Sequence, residues 1–314
     1  MKKSSRIVLA AVIFALLVFA AGAVLMLAKG HKDAQAREKT VFAMDTACTA
    51  KAWGADPAKI CDEIARLDSV FDSHNEKSEI SQLNRSGSGK LSEDMKTFLE
   101  QSVSLTDKYP DADISVGAVT KLWNVTGKDP KVPKDEDIAI ALKTCGYENI
   151  TLEGSSCTLR NGAQCAVVTM GSSSLLYGKK PDGKDFSVAV KDPESPDGML
   201  LKFTCGECFV STSGGYERYF EADGKRYIHI FDKTTGRPVQ TDLTSVTVIC
   251  DGGLKSDQLS TSVFIGGTKK LGEYFADKSL QLIAVDTQGN VHISSSLENK
   301  ITLQKSGHKI IVEK

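Results

Sequence analysis

An excess of either charge is missing from this sequence: 39 Lys and Arg stand against 40 Asp and Glu, a formal net charge of −1. Without a basic surplus or a basic stripe, a general nucleic-acid binder is excluded. Any phosphate-bearing ligand must therefore be met by local backbone donors or a metal. Long apolar runs are scarce as well. One exists, and the mean hydropathy is −0.17, so a polytopic membrane protein is excluded. Compositional bias is also lacking. Over 314 residues, 41% hydrophobic and 25% charged are ordinary globular values, which exclude disorder, collagen and coiled coil for the chain as a whole. At about 100–200 residues per domain, the length suggests one large domain or two small ones. The common catalytic signatures are absent too: there is no GxGxxG after a strand, no GxxxxGKS/T, no HExxH and no GxSxG.

The one apolar run extends from Ile7 to Ala28, behind Lys2, Lys3 and Arg6. A membrane-spanning helix needs roughly 20 apolar residues, whereas the core of a cleavable signal has about 7–15. The run fits a span, and the charges before it keep the short tail cytoplasmic and send the rest out. Lys29, Lys32, Arg37 and Lys39 on the far side weaken that asymmetry. The competing reading is a signal peptide cut after Ala34-Gln35-Ala36, which has the small-x-small form. The length of the run favours an uncleaved anchor over residues 1–28, followed by a polar tether over 29–40 and a domain over 41–314. Both readings deliver the globular part outside the cytoplasm, and the anchored one holds it on the extracytoplasmic side of the cell membrane.

The eight cysteines are Cys48, Cys61, Cys145, Cys157, Cys165, Cys205, Cys208 and Cys250, an even count that permits disulfides in an exported chain. Cys205-Gly206-Glu207-Cys208 alone has CxxC spacing. A zinc site would want a second pair or histidines nearby, and neither is present. With Phe203 before it and Phe209-Val210 after it, Gly206-Glu207 reads as a tight turn between two strands.

From Pro57 to Phe71, Ile60, Ile64, Leu67 and Phe71 recur at helical spacing. Ser92, followed by Glu93 and Asp94, is an N-cap signature for a helix reaching Tyr109-Pro110. A third helix is expected from near Pro133 to Cys145-Gly146. Beyond Tyr147 the texture changes to short β-rich runs at 150–152, 157–159, 166–170, 186–191, 200–203 and 246–250, separated by Gly, Asn, Asp and Pro. A helix over Ser256–Phe264 and two hairpin-like pairs complete the chain. Helices first and strands later argue an α+β fold, with helices packed on a mostly antiparallel sheet.

Three segments carry chemistry. In Ser211-Thr212-Ser213-Gly214-Gly215-Tyr216, small residues let the backbone approach a ligand closely, and successive N–H groups can hold an anion such as a pyrophosphate. Most such runs are ordinary turns. In Tyr227-Ile228-His229-Ile230-Phe231-Asp232, alternation places His229 opposite Ile228 and Ile230, before a Gly-containing turn at Thr235-Gly236. A lone histidine there is more often structural than catalytic. In Asp257-Gln258-Leu259-Ser260-Thr261, Asp257 and Thr261 share a helix face at i and i+4. A carboxylate and a hydroxyl so placed suit Mg²⁺, which takes one or two protein ligands and fills the rest with water and phosphate oxygens. The plainer alternative is an Asp stabilised by the helix dipole.

Taken in order, these segments resemble the FAD:protein FMN transferases, the ApbE family. The likeness starts at Phe42-Ala43-Met44-Asp45-Thr46, similar to a Met-Gly-Thr strand of the family, and continues through Phe71-Asp72-Ser73-His74 to Ser78-Glu79-Ile80-Ser81 and Leu83-Asn84. Asp113-Ile114-Ser115-Val116-Gly117, Leu122-Trp123, Lys180-Pro181-Asp182-Gly183, Thr212-Ser213-Gly214, Tyr216-Glu217-Arg218-Tyr219-Phe220, His229 to Asp232, Thr235-Gly236 and Asp257 to Thr261 follow in the family's sequence. The resemblance implies binding of FAD and Mg²⁺, with FMN transferred to a Ser or Thr of another exported or membrane protein and AMP released. It implies Asp257 and Thr261 as Mg²⁺ ligands and His229 as base or phosphate partner. Met44, His74, Asp111, Ala112 and Asp113, with Ser213 and Gly214, become candidates for the flavin pocket. His74 stands where the family commonly has an aromatic residue able to stack on a flavin or adenine.

One segment departs from the family pattern. A strand ending Asp-Leu-Gly-Gly, a turn with Ala-Lys-Gly and a long helix are expected before Lys180-Pro181-Asp182-Gly183. Here Asn161-Gly162-Ala163-Gln164 runs straight into Cys165. Thr169-Met170-Gly171-Ser172 is the segment able to take the Asp-Leu-Gly-Gly role, which makes Thr169 a candidate cofactor contact and Ser172 a candidate metal ligand. Leu175 stands where the lysine would be. The alternative function is accordingly a catalytically impaired flavin-binding or partner-binding relative.

Overall fold

The structure, a computed structural model, describes residues 35–87, 89–147, 150 and 165–313. The expected anchor over 7–28, Cys157 and the expected strands at 151–152 and 157–159 lie outside them. Among the described residues no helix is long and apolar enough to cross a membrane.

The chain opens with an antiparallel hairpin, β1 (Arg37–Ala43) and β2 (Thr46–Trp53), so the strand begins inside the charged stretch read as a tether. Met44 and Asp45, expected on a strand, form the hairpin turn instead, both with positive φ (54° and 55°). A two-residue turn that matches strand twist requires left-handed backbone at both positions. Helix α1 (Pro57–Phe71) follows, with Pro57 in its first turn and the Asp56 carboxylate accepting from the Ala58 N–H. Next come α2 (Glu79–Ser86), α3 (Glu93–Lys108, capped by the Ser92 hydroxyl), α4 (Gly117–Trp123) and α5 (Asp135–Leu142).

After residue 165 strands dominate: β3 (Cys165–Met170), β4 (Ser173–Gly178), β5 (Phe186–Asp192), β6 (Ser195–Cys205), β7 (Cys208–Gly214), β8 (Tyr219–Ala222), β9 (Lys225–Ile228), β10 (Phe231–Asp232), β11 (Arg237–Pro238) and β12 (Leu243–Cys250). Helices α6 (Gly253–Gly266) and α7 (Leu271–Ala276) intervene before β13 (Gln281–Asp286), β14 (Asn290–Ser294), β15 (Ile301–Leu303) and β16 (Lys309–Glu313). The fold is α+β. The large sheet runs β1-β2-β3-β4-β7-β12-β13-β14-β16, antiparallel apart from the parallel β14–β16 pair, and a small sheet runs β15-β6-β5. β13 and β14 form the expected hairpin. β15 and β16 do not: β15 pairs with β6 and β16 with β14, and their apolar residues Ile301, Leu303, Ile310 and Val312 meet one core from two different sheets.

Alternation along β12 separates those layers. Val246, Val248 and Cys250 pack with Leu259, Val263 and Phe264 of α6, while Ile249 faces Leu200, Leu201 and Phe203 across the small sheet. Successive strand side chains point to opposite faces, so one β-branched strand serves both cores. A third cluster joins Cys61 and Ile64 of α1 to Ala43, Ala50 and Val168. A fourth buries Trp123 with Val119, Ile138 and Phe231. Thus α1 and α6 cover the same sheet at separate places.

Candidate functional site

Between α1, the β3–β4 turn and the start of α6 lies a cavity of about 1320 Å³. Small-molecule pockets commonly span about 300–1,000 Å³, so this one suits an elongated ligand. Its apolar wall is Ile60, Ile64 and Leu67 of α1 facing Val168, Met170 and Leu175 of the sheet. The i, i+4, i+7 spacing that identified the helix also turns these residues to one side. Polar lining comes from Ser172, Ser173, Glu217, His229 and Asp257. Lys59, Lys191 and Arg218 also face it, exposed and without a carboxylate hydrogen-bonded to them among the described residues.

Asp257 sits one turn inside α6, which starts at Gly253, three residues ahead of the expected Ser256. It therefore lies beyond the first-turn N–H groups that would have explained it as a dipole-stabilised residue. Its Oδ1 accepts from the Ser173 hydroxyl at 3.1 Å. Asp257 is exposed along the cavity wall, and the protein atoms crowding its carboxylate push its pKa up, against the Ser173 hydrogen bond. A carboxylate with one hydroxyl partner, next to two serines, is a hard-oxygen donor set that fits Mg²⁺. Thr261 stays off the cavity lining. Its hydroxyl donates back to the Asp257 carbonyl (3.3 Å) and contacts the Ser213 hydroxyl (3.1 Å).

His229 occupies the bend after β9. Both its backbone N–H (3.2 Å) and Nδ1 (3.1 Å) reach the Arg218 carbonyl. A carbonyl only accepts, so Nδ1 carries the proton and Nε2 keeps the lone pair. Burial pushes the imidazole below its ordinary pKa, the carbonyl contact opposes this, and the Arg218 charge adds to the lowering. Glu217, exposed at the cavity mouth, is raised by the protein atoms crowding its carboxyl, against the pull of Lys191, Arg218 and Ser172.

The structure thus brings Met44, Ser172, His229 and Asp257 together around one cavity. Met44 projects from its turn, whose N–H donates to Asp68 at 2.8 Å. The other candidates lie elsewhere. His74 is exposed in the loop after α1, its N–H held by Asp72. Asp111 forms an ion pair with Lys270 (2.7 Å) and accepts from the Tyr274 hydroxyl. The Ala112 carbonyl accepts from Thr106 and Gln258. Asp113 is filled by the Ser115 and Tyr147 N–H groups and the Lys233 ammonium. Thr169 faces Ser174 across β3–β4 at 3.3 Å. Ser213 contacts Ser260 and Thr261, and the ring of Tyr216 fills the space where a Gly214 Cβ would project.

Sequence reasoning passed over Ser173, Glu217, Arg218, Lys59 and Lys191. Ser173 adjoins Ser172, and Glu217-Arg218 lies within a segment already singled out, so those had a signal. Lys59 and Lys191 had none, since isolated lysines on a helix and a strand read as solvated.

The family model described as the ApbE family matches residues 44–163 and 155–285. The curated FAD:protein FMN transferase of Vibrio cholerae is 26% identical over 253 residues, covering 69% of this chain and 76% of the relative. That of Haemophilus influenzae is 28% identical over 252 residues, with 68% and 73% covered. The solved ApbE protein of Thermotoga maritima superposes with a TM-score of 0.74 at 26% identity, covering 83% of this chain and 98% of its own. The flavin transferase ApbE of Vibrio cholerae gives 0.71 at 23% identity, covering 85% and 100%, and attests the fold alone.

Proposed function

The chain belongs to the ApbE family, and on that premise we propose that it is an FAD:protein FMN transferase, taking FAD as substrate and a protein hydroxyl as acceptor. The acceptor oxygen attacks the FMN phosphorus, the pyrophosphate P–O bond breaks and AMP leaves with the electron pair. The observation that carries this reading is the convergence of Met44, Ser172, His229 and Asp257 on one cavity large enough for a dinucleotide.

Each residue has a task that its surroundings support. The apolar wall of Ile60, Ile64 and Leu67 suits an aromatic ring system, and Met44 lies at its margin. Lys59, Lys191 and Arg218 supply positive charge for phosphate oxygens. Nε2 of His229, the basic nitrogen, can accept the acceptor's proton while Nδ1 stays held by the Arg218 carbonyl. Asp257, hydrogen-bonded to Ser173, would hold Mg²⁺, with Ser172 on the same cavity wall. That ion supplies charge neutralisation at the phosphoryl oxygens.

The apolar run over 7–28 supports an anchored protein whose domain works outside the cytoplasm on an exported or membrane acceptor. The test is incubation with FAD, Mg²⁺ and a protein bearing a flavinylatable Ser or Thr, reading gel fluorescence of the acceptor and free AMP. The competing reading, a relative that binds flavin without transferring it, is favoured by the departure at 164–165, near which the two matched segments meet. FAD binding without acceptor fluorescence would establish it.

A further inference from the structure

We propose that Cys205 and Cys208 form a redox-active dithiol that closes to a disulfide at the corner between the two sheets, a site independent of the transfer reaction. Cys205 ends β6 opposite Phe186 of the small sheet, and Cys208 opens β7 opposite Leu176 of the large one. Gly206-Glu207 makes the turn between them, fastened by the Gly178 N–H donating to the Glu207 carboxylate at 2.9 Å. The two sulfurs lie 3.4 Å apart, within hydrogen-bonding distance. Forming the bond shortens this to about 2.05 Å, a small displacement for a pair already facing each other.

The two thiols are unequal. Cys205 is buried at 6% exposure, whereas Cys208 is half-buried and open to a reagent. A hydrogen bond between them raises the Cys205 thiol, helped by burial, and lowers Cys208. Cys48, Cys145, Cys165 and Cys250 are instead pushed up by burial and stay protonated. Cys208 is therefore the attacking sulfur. Its thiolate attacks a small-molecule disulfide such as glutathione disulfide, expelling one glutathione thiolate. Cys205 then loses its proton and attacks the Cys208 sulfur of the mixed disulfide, expelling the second. The protein dithiol gives up two electrons and two protons, and glutathione disulfide becomes two thiols.

The site adjoins the cavity. Phe209 and Ser211 of β7 line it, and the Ser211 hydroxyl lies 2.8 Å from that of Ser256, next to Asp257. Closing the disulfide pins the start of that strand.

The experiment equilibrates the full chain in graded ratios of reduced to oxidised glutathione, traps free thiols by alkylation and maps the peptides by mass. The expected result is a single transition to a Cys205–Cys208 peptide lighter by about 2 Da, the two lost hydrogens. The oxidised protein should melt a few degrees above the reduced one, a difference that Cys208→Ser abolishes. Alkylation of both residues at every ratio overturns the proposal, as does pairing of Cys208 with Cys165 or Cys250. The mapping uses the unmutated chain, so it decides the matter even if a variant does not fold.

Discussion

The Ser173 hydroxyl donates to Oδ1 of Asp257 across 3.1 Å, joining the start of β4 to the second turn of α6. This contact closes the polar end of the cavity and leaves the rest of the carboxylate facing in. Asp257→Asn preserves shape and removes the charge. It should abolish any rise in melting temperature caused by Mg²⁺ and weaken Mg²⁺-dependent FAD binding by at least tenfold, without lowering the metal-free melting temperature. Thr261→Val should have a smaller effect, since its hydroxyl already serves the Asp257 carbonyl and Ser213. Equal FAD affinity in Mg²⁺ and in EDTA for the unmutated chain would remove the metal site.

His229 should set the acid limb of activity. Its imidazole titrates below the ordinary value of about 6.5, burial being the main cause. Nε2 should therefore remain unprotonated through neutrality, and the rate should fall only below that pH. For stability the unfolded chain binds the proton more readily, so stability declines as pH drops from about 6.5 towards the folded value. His229→Gln should cost about 10²–10⁴ in transfer rate, the usual worth of a general base. It should leave FAD binding nearly intact and remove that limb. An unchanged pH profile in the mutant would show that another group takes the proton.

Asp113 is a structural anchor in this geometry. Burial would raise its pKa, but Ser115 and the Lys233 ammonium outweigh that and lower it. A lowered carboxylate contributes stability above its unfolded pKa and loses it as pH falls through the folded one. Asp113→Asn should cost about 2–4 kcal/mol, for a buried partner removed from a half-open lysine. It should also flatten the acid unfolding curve. FAD affinity per folded molecule should stay constant; a selective loss of FAD binding would return Asp113 to the ligand.

Gly236 has φ +63°, and a Cβ there would lie 2.7 Å from Cγ2 of Ile138. Its carbonyl accepts from the Trp123 indole N–H at 2.8 Å. Gly236→Ala adds left-handed strain and overpacking, together about 2–4 kcal/mol. A denaturant titration reads this directly. A loss under 1 kcal/mol would mean that the α4–α5 cluster yields easily.

For the segment 7–28, the expected outcome is an intact N-terminus and sedimentation with membranes after a high-salt wash. N-terminal sequencing that begins at Arg37, with the protein in a soluble exported fraction, would identify a cleaved signal.

The elements were legible where the cause was local. Ile60, Ile64 and Leu67 announced α1 by spacing, Ser92 with Glu93 and Asp94 announced α3, and Gly206-Glu207 announced the turn into β7. Local sterics, capping hydrogen bonds and one-sided burial operate over a few neighbouring residues, so a short window contains them. Helix α2 carries local signals that were passed over, the Ser78 hydroxyl accepting from the Ser81 N–H and Gly87 at φ 71° closing it. By contrast, α4 and the pairing of β15 and β16 were not legible, because their stability comes from surfaces supplied by distant chain.

The sequence by itself determined that Asp257 and Thr261 share a helix face and that His229 points away from Ile228 and Ile230. Only the tertiary structure decided which of them meets a ligand. Asp257 faces the cavity because β4 lies beside β7 and brings Ser173 under α6. Thr261, one turn on, finds its partners in Ser213 and the helix backbone instead. Lys59, Lys191, Arg218 and His229 meet there because α1, β5, the turn before β8 and the bend after β9 converge on that face. That convergence follows from sheet order and from apolar burial on both sides of β12, which are properties of the whole chain at once.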